Sequence, residues 1–279
     1  MKGKDTGRLI TETGVTPKKS KGQNFLTDDR VAERQVDYAD ISENDRVLEV
    51  GPGLGILTSR LSSRSKDVTC IELDASLADH VAATYPSVRL IRGDAVKVPF
   101  PKFDVFVSNL PYSVSTPIIF KLLEHDFRKA VVMVQKEFAE RMVAEVGSRD
   151  YSRLTVNLFY RADCRILENV PASRFKPKPK VDSSIVEIVP RPAPFEVLDE
   201  RTFLKVTEIT FNHRRKKIST SLKAARMIPS GVLEEDIPFL DERIETLTPS
   251  EIAKLANSIF RLWHSEDDAG SATNEMPPQ

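Results

Sequence analysis

Arg46-Val47-Leu48-Glu49-Val50-Gly51-Pro52-Gly53-Leu54-Gly55 is a short apolar run that stops at glycines on alternate positions. The run has the length and β-branched character of a buried strand. Glycines let the backbone turn sharply and approach a ligand closely. Residues 56–61 then open a helix, which makes this stretch the start of a strand–turn–helix unit. On its C-terminal side, strands are expected at residues 68–72, 88–91, 103–108 and 130–134. Helices are expected between them: residues 75–85, with Leu77, Ala78, Val81 and Ala82 on one face, a helix marked by Ile118, Ile119, Leu122 and Leu123, and one over 136–146. Strands alternating with helices predict an α/β fold with a mainly parallel, doubly wound, Rossmann-like sheet covered on both faces. Further strands near 163–167 and 184–189 are expected to close one edge as a hairpin.

Pro190-Arg191-Pro192-Ala193-Pro194 breaks the alternation and reads as a linker. Beyond it the pattern is helical, over residues 201–212, 216–225 and 249–263. Phe203, Val206, Ile209 and Thr210 face a small core. Thr248 before Pro249 and Glu251 predicts an N-cap with proline at the first helical position. The expected organisation is a flexible basic arm over 1–20, a sheet domain over 21–192, a smaller all-helical domain over 193–265 and a disordered tail over 266–279.

The chain has 279 residues, 40% hydrophobic and 29% charged, values typical of a water-soluble globular protein. It contains no apolar run of about 18 residues, so no membrane partner is expected. Its first residues lack the apolar core of a signal peptide, which predicts a cytoplasmic location. Cys70 and Cys164 fall in strand-like runs without metal-ligand spacing and read as inert thiols; no metal is implied. The formal net charge is zero, which alone does not suggest a nucleic-acid partner. The distribution does: Lys18, Lys19 and Lys21 cluster, as do Arg174, Lys176, Lys178 and Lys180, and again Arg214, Arg215, Lys216 and Lys217. Local fields steer a polyanion more than the total does.

The glycine spacing differs from the dinucleotide fingerprint. An acid, Glu49, precedes it, which suits a cofactor with a cationic amino-acid tail, such as S-adenosyl-L-methionine, better than a pyrophosphate. Glu72 ends the second strand, where a carboxylate can accept ribose hydroxyls; a nicotinamide enzyme would place an acid there too. Asp94 follows the third strand and can accept an adenine amino group. Asn109-Leu110-Pro111-Tyr112 follows the fourth. It answers a narrow problem, alkylating the exocyclic amine of adenine, whose lone pair is delocalised into the ring. The Asn109 amide oxygen and the Leu110 carbonyl can accept the two amino hydrogens. Pro111 fixes the turn and Tyr112 offers a ring to the purine.

These residues, with Gly22-Gln23-Asn24-Phe25-Leu26, Gln135-Lys136-Glu137, Pro179-Lys180-Val181-Asp182-Ser183 and Phe211-Asn212-His213-Arg214-Arg215-Lys216, resemble the ribosomal RNA small-subunit adenine N6,N6-dimethyltransferases. That family lies within the class I S-adenosyl-L-methionine-dependent methyltransferases. The resemblance spans roughly residues 18–226. It implies that Asn24 and Leu26 close over the cofactor and that Gly51, Gly53, Glu72, Asp94 and Asn109 contact it. Tyr112 and Phe175 would hold a flipped adenine, with Lys176, Lys178 and Lys180 on RNA phosphates. Arg214, Arg215, Lys216 and Lys217 would grip RNA or the immature small ribosomal subunit. The implied enzyme is monomeric and dimethylates two adjacent adenines in the 3′-terminal hairpin loop of small-subunit (16S) rRNA. Lysines within Phe175-Lys176-Pro177-Lys178-Pro179 resemble archaeal or eukaryotic members more than bacterial ones. A large-subunit rRNA adenine methyltransferase, a ribosome-assembly factor whose binding outweighs catalysis and, more distantly, a nicotinamide-dependent dehydrogenase are the rival readings.

Overall fold

The computed structural model describes residues 23–228, 232 and 236–265. The arm expected over 1–20 and the tail expected over 266–279 lie outside the described residues. The elements are, in order, β1 (Phe25–Leu26), α1 (Asp29–Tyr38), β2 (Arg46–Val50), α2 (Thr58–Arg64), β3 (Asp67–Glu72) and α3 (Ala75–Thr84). They continue with β4 (Arg89–Arg92), β5 (Val105–Asn109), α4 (Ser115–Leu122), β6 (Lys129–Gln135) and α5 (Lys136–Met142). Next come α6 (Arg153–Arg161), β7 (Ala162–Val170), β8 (Phe175–Lys176), β9 (Ser183–Pro190), α7 (Glu200–Asn212), α8 (Ile218–Ala224) and α9 (Pro249–Ser265).

The main sheet has the order β4-β3-β2-β5-β6-β9-β7. Strands β4, β3, β2, β5 and β6 are parallel, and β9 runs antiparallel to β6. The sequence runs outward from β2 in both directions, so the order reverses between β2 and β5. Open sheets of this kind leave a crevice at the carboxyl ends of the strands flanking the reversal. At the opposite ends these strands are tied: the Arg46 guanidinium and backbone N–H both donate to Asp104, at 2.6–2.9 Å. Those bonds hold the Asp104 carboxyl down at about 2. A separate pair, β1 with β8, sets Leu26 opposite Phe175.

The central strands are mostly apolar because both faces are covered; Val47, Val105, Val107, Val131 and Ile185 share one buried cluster with Val31, Ala32 and Val36 of α1. Helix α1 had no counterpart in the sequence reading. Its buried positions are Val31, Ala32, Gln35 and Val36, and the polar Gln35 interrupts the apolar stripe by which a helix is recognised. Its start is nonetheless signalled: the Asp28 side chain accepts from the N–H groups of Arg30 and Val31, a cap contributing about 1 kcal/mol.

The chain divides into two compact units. One takes the chain up to Glu140 and then Asp163–Arg191; the other takes Arg141–Ala162 and the chain from Pro192 onward. The continuous sheet domain expected over 21–192 is therefore corrected: residues 141–162 belong with the helical unit. Tyr151 and Val156 pack in one core with Phe203, Val206, Leu222, Ile252 and Ile259, and the Tyr151 hydroxyl donates to the Leu247 carbonyl at 2.8 Å. In α7, Phe203, Val206 and Thr210 are buried as the periodicity predicts. The Thr248–Glu251 pair forms the expected cap, with Thr248 N–H donating to Glu251 at 2.8 Å and Glu251 N–H to the Thr248 hydroxyl at 3.3 Å. Among the described residues no helix is long and apolar enough to cross a membrane.

Candidate functional site

The crevice is a cavity within the sheet unit. Asn24, Leu26, Gly51, Gly53, Glu72, Asp94, Asn109, Leu110, Pro111, Tyr112 and Phe175 all line it. These residues, expected to meet the cofactor or the reacting base, thus reach one space, although they come from the ends of β2, β3, β4 and β5 and from the β1–β8 pair.

The turn after β2 sits close to the turn after β5. Gly51 has φ of +70°, and a Cβ there would lie 3.6 Å from the Pro111 ring. Gly53 has φ of +58°, and a Cβ would come within 3.1 Å of the Phe25 ring. An L side chain would be strained at either position. The Glu72 carboxylate, almost fully buried, accepts from Asp74 N–H at 2.8 Å and Gly53 N–H at 3.3 Å. Burial raises its pKa, opposed by these backbone donors. One carboxylate therefore holds the glycine turn and the start of α3 while lining the cavity. The Asp94 carboxylate accepts from Val96 N–H at 3.0 Å, which orders the loop after β4. Lys121 fastens that loop from behind, donating to the carbonyls of Ala95, Val96 and Val98.

At the end of β5 the Asn109 Oδ1 is buried and has no hydrogen-bond partner. Leaving such an acceptor unpaired costs about 1–3 kcal/mol, so it is an acceptor awaiting a donor. Leu110 follows, with its N–H donating to the Met133 carbonyl at 3.0 Å. The Pro111 carbonyl then accepts from Val114 N–H and from the Ser115 hydroxyl, closing a single helical turn. The Tyr112 hydroxyl shares a 2.8 Å hydrogen bond with the Ser183 hydroxyl, which fixes the ring in the cavity wall. Phe175, buried in β8, supplies a second aromatic face to the same space. Lys176, Lys178 and Lys180 are exposed on the adjoining segment, alternating with buried Phe175 and Pro179.

This donor set fits S-adenosyl-L-methionine. It offers acids at the ends of β3 and β4, a turn with glycines at 51, 53 and 55, and an unpaired amide oxygen in the same cavity as two aromatic rings. Among the described residues its lining holds no Lys or Arg to meet a pyrophosphate.

One expectation is overturned. Glu49 does not face a cationic tail; among the described residues it is absent from the cavity wall. It is 1% exposed, accepts from the Thr58 hydroxyl at 2.7 Å and lies 3.3 Å from the Cys70 sulfur. Alternation along a strand explains this, since Glu49 points opposite to its neighbours. Burial pushes its carboxyl up to about 7. A carboxyl raised on folding contributes stability that is full below its unfolded pKa and is lost as pH rises through the folded one. Glu49→Gln should therefore unfold near the wild-type midpoint at pH 5 and above it at pH 8, by about 3 kcal/mol at most. A stability gap between the two proteins that does not widen with pH would show that Glu49 is not the buried titrating group.

In the helical unit the basic cluster splits. The Arg214 guanidinium donates to Glu245 at 2.8 Å and to the carbonyls of Arg149 and Tyr151 at 2.7 and 3.2 Å. It is held as an internal tie within the helical unit, unlike the other members of the cluster expected to grip RNA. Arg215, Lys216 and Lys217 are exposed, with Lys217 paired to Asp241 at 2.8 Å.

Several lining residues fall within or beside the quoted motifs but carry no role assigned from the sequence: Phe25, Leu73, Ala95, Ser113 and Ser183. Leu73 is 60% exposed beside Glu72, an unusual position for a large apolar side chain. Adjacency to the acids was the available signal for Leu73 and Ala95. Nothing in the sequence tied Ser183 to Tyr112.

The family model of the ribosomal RNA adenine dimethylases matches residues 14–259. A Methanosarcina mazei protein named "Probable ribosomal RNA small subunit methyltransferase A" is 45% identical over 251 residues, covering 86% of this chain and 92% of that one. A protein of the same name from Thermococcus gammatolerans is 39% identical over 252 residues, covering 88% and 90%. Among solved structures, a dimethyladenosine transferase from Plasmodium falciparum superposes with a TM-score of 0.75 at 31% identity, over 86% of this chain and 98% of that one. The 23S rRNA methyltransferase ErmE does so with a TM-score of 0.64 at 27% identity, over 85% and 100%. With the family model spanning most of the chain and relatives this similar along nearly their whole length, the chain belongs to the ribosomal RNA adenine dimethylase family.

Proposed function

We propose that this protein transfers methyl groups from S-adenosyl-L-methionine to N6 of two adjacent adenines in the 3′-terminal hairpin loop of small-subunit rRNA. The observation that carries the chemistry is the buried, unpartnered Asn109 Oδ1, set at the switch point of the sheet in one cavity with Glu72, Asp94, Tyr112 and Phe175. Bound there, the cofactor supplies an electrophilic methyl group. Glu72 accepts from its ribose hydroxyls and Asp94 from its adenine amine, while Gly51 and Gly53 admit its backbone and Asn24 and Leu26 cover it.

Asn109 Oδ1 and the Leu110 carbonyl accept the two hydrogens of the target amine and aim its lone pair. They also stabilise the positive charge that develops on nitrogen. No side chain has to remove a proton before attack, because the amine reacts neutral and its cationic product is strongly acidic. Tyr112 and Phe175 hold the purine between rings, which offsets the few kcal/mol needed to take a base out of its stack. Lys176, Lys178 and Lys180 contact the phosphates flanking that base. Exposed Arg215, Lys216 and Lys217 bind RNA or the immature subunit surface.

The likeness to ErmE favours a second reading, in which the adenine lies in large-subunit rRNA. The names and higher identity of the small-subunit relatives outweigh it. Incubation with labelled cofactor and ribosomal subunits from a strain lacking the modification decides between them. Label should enter the small-subunit RNA as dimethyladenine at two adjacent positions. Label confined to the large subunit would transfer the assignment there, and label in neither would defeat both.

A further inference from the structure

We propose that Gln35 is a positioning residue for methyl transfer, acting through Ser108 on Asn109. The inference rests on the adenine-methylation reading and extends it to α1, a helix whose glutamine lies outside the cavity wall. Gln35 is fully buried, and its Nε2 donates to the Ser108 carbonyl at 3.2 Å. That carbonyl belongs to the peptide unit whose nitrogen is that of Asn109. The buried Ser108 hydroxyl in turn donates to the Val50 carbonyl at 2.6 Å, immediately before Gly51. Strands β2 and β5 are in register at Val47–Val105 and Leu48–Phe106. Nearer the cavity the Ser108 side chain ties them.

Two polar side chains thus brace the backbone on either side of the strand reversal, one behind the target-amine acceptor and one behind the glycine turn. The arrangement is expensive. Gln35 sits among Val31, Ala32 and Val36 on the buried face of α1, and its Oε1 has no hydrogen-bond partner. A methionine would fill the same volume without an orphaned acceptor. A polar group kept at a core position against its own packing preference marks a functional constraint. Here the constraint is the placement of Asn109, since small misplacements of an orienting group are costly in rate.

Gln35→Met removes both the donor and the orphaned oxygen. The expected result is an unfolding midpoint no lower than wild type, a kcat reduced about tenfold or more, and a cofactor KM changed by less than about threefold. Gln35→Glu gives a conditional rescue. A buried carboxyl that is neutral donates its O–H to the Ser108 carbonyl; once ionised it repels that oxygen. The kcat of Gln35→Glu relative to wild type should therefore rise as pH falls. In cofactor-free protein, the backbone N–H resonance of Asn109 should shift in Gln35→Met, a readout that needs no turnover. Wild-type kcat in Gln35→Met with an unmoved Asn109 resonance would overturn the proposal. So would a loss of kcat matched by a lowered midpoint and no pH-dependent recovery in Gln35→Glu. If the wild type methylates no adenine, the functional reading fails instead, and the Asn109 resonance still reports on positioning.

Discussion

Asn109→Ala should lower methyl transfer by about 10²- to 10³-fold, the usual effect of deleting one preorganised polar group from a reacting centre. Cofactor affinity should stay within a few-fold of wild type, because Glu72, Asp94 and the glycine turn remain. The variant should also be no less stable, since it removes a buried oxygen that has no partner. Asn109→Asp separates acceptor from size. It keeps an oxygen at the same position and should retain more activity than Asn109→Ala. Single-turnover transfer to unmethylated small subunits, cofactor binding by calorimetry and thermal unfolding measure the three quantities. Transfer within about tenfold of wild type in Asn109→Ala would remove the amide from the mechanism.

Glu72→Ala should weaken cofactor binding about 100-fold, the value of losing two hydrogen bonds to a charged acceptor. The effect should fall on KM rather than on kcat at saturation, since ribose contacts are the same before and during transfer. A lowered unfolding midpoint should accompany it, because the same carboxylate holds Gly53 N–H and Asp74 N–H. Glu72→Gln keeps an acceptor and should lose less on both counts. The pH dependence has a definite sign. Burial raises the Glu72 pKa, so wild-type affinity should fall as pH drops toward that value, and the fall should be absent in Glu72→Gln. Titration with the demethylated cofactor product across pH provides the measurement. Unchanged affinity in Glu72→Ala would leave Glu72 as a brace for the turn and nothing more.

Much of the sheet was legible because its strands are buried on both faces. Arg46–Val50 came out residue for residue, and β3, β5 and β6 within two residues at either end. The site was legible for a related reason: in an open parallel sheet the residues just past each strand share one crevice, so order along the chain places them together. Glu72, Asp94 and Asn109 needed no knowledge of side-chain contacts to be grouped.

What was not legible depends on contacts between distant segments. Gln35 disguised α1 as a polar stretch. The two-residue strands β1 and β8 are too short for any periodicity, yet they pair Leu26 with Phe175. Glu49 was assigned a ligand from its place before a glycine, whereas its strand parity turns it to Thr58 and Cys70. Arg214 looked like one of four similar cations until its partners, Glu245 and the Arg149 and Tyr151 carbonyls, were seen.

The assignment of residues 141–162 to the helical unit means that the polypeptide passes between units at 140/141, at 162/163 and at 191/192. No single cut therefore separates them. A chain ended at the proline-rich break would keep Tyr151 and Val156 but lose Phe203, Val206, Ile252 and Ile259, leaving an apolar helix face bare to water. The helical unit is stitched into the sheet unit's sequence rather than appended to it. Exchange of one unit without the other involves all three junctions, and the proline-rich segment marks only one of them.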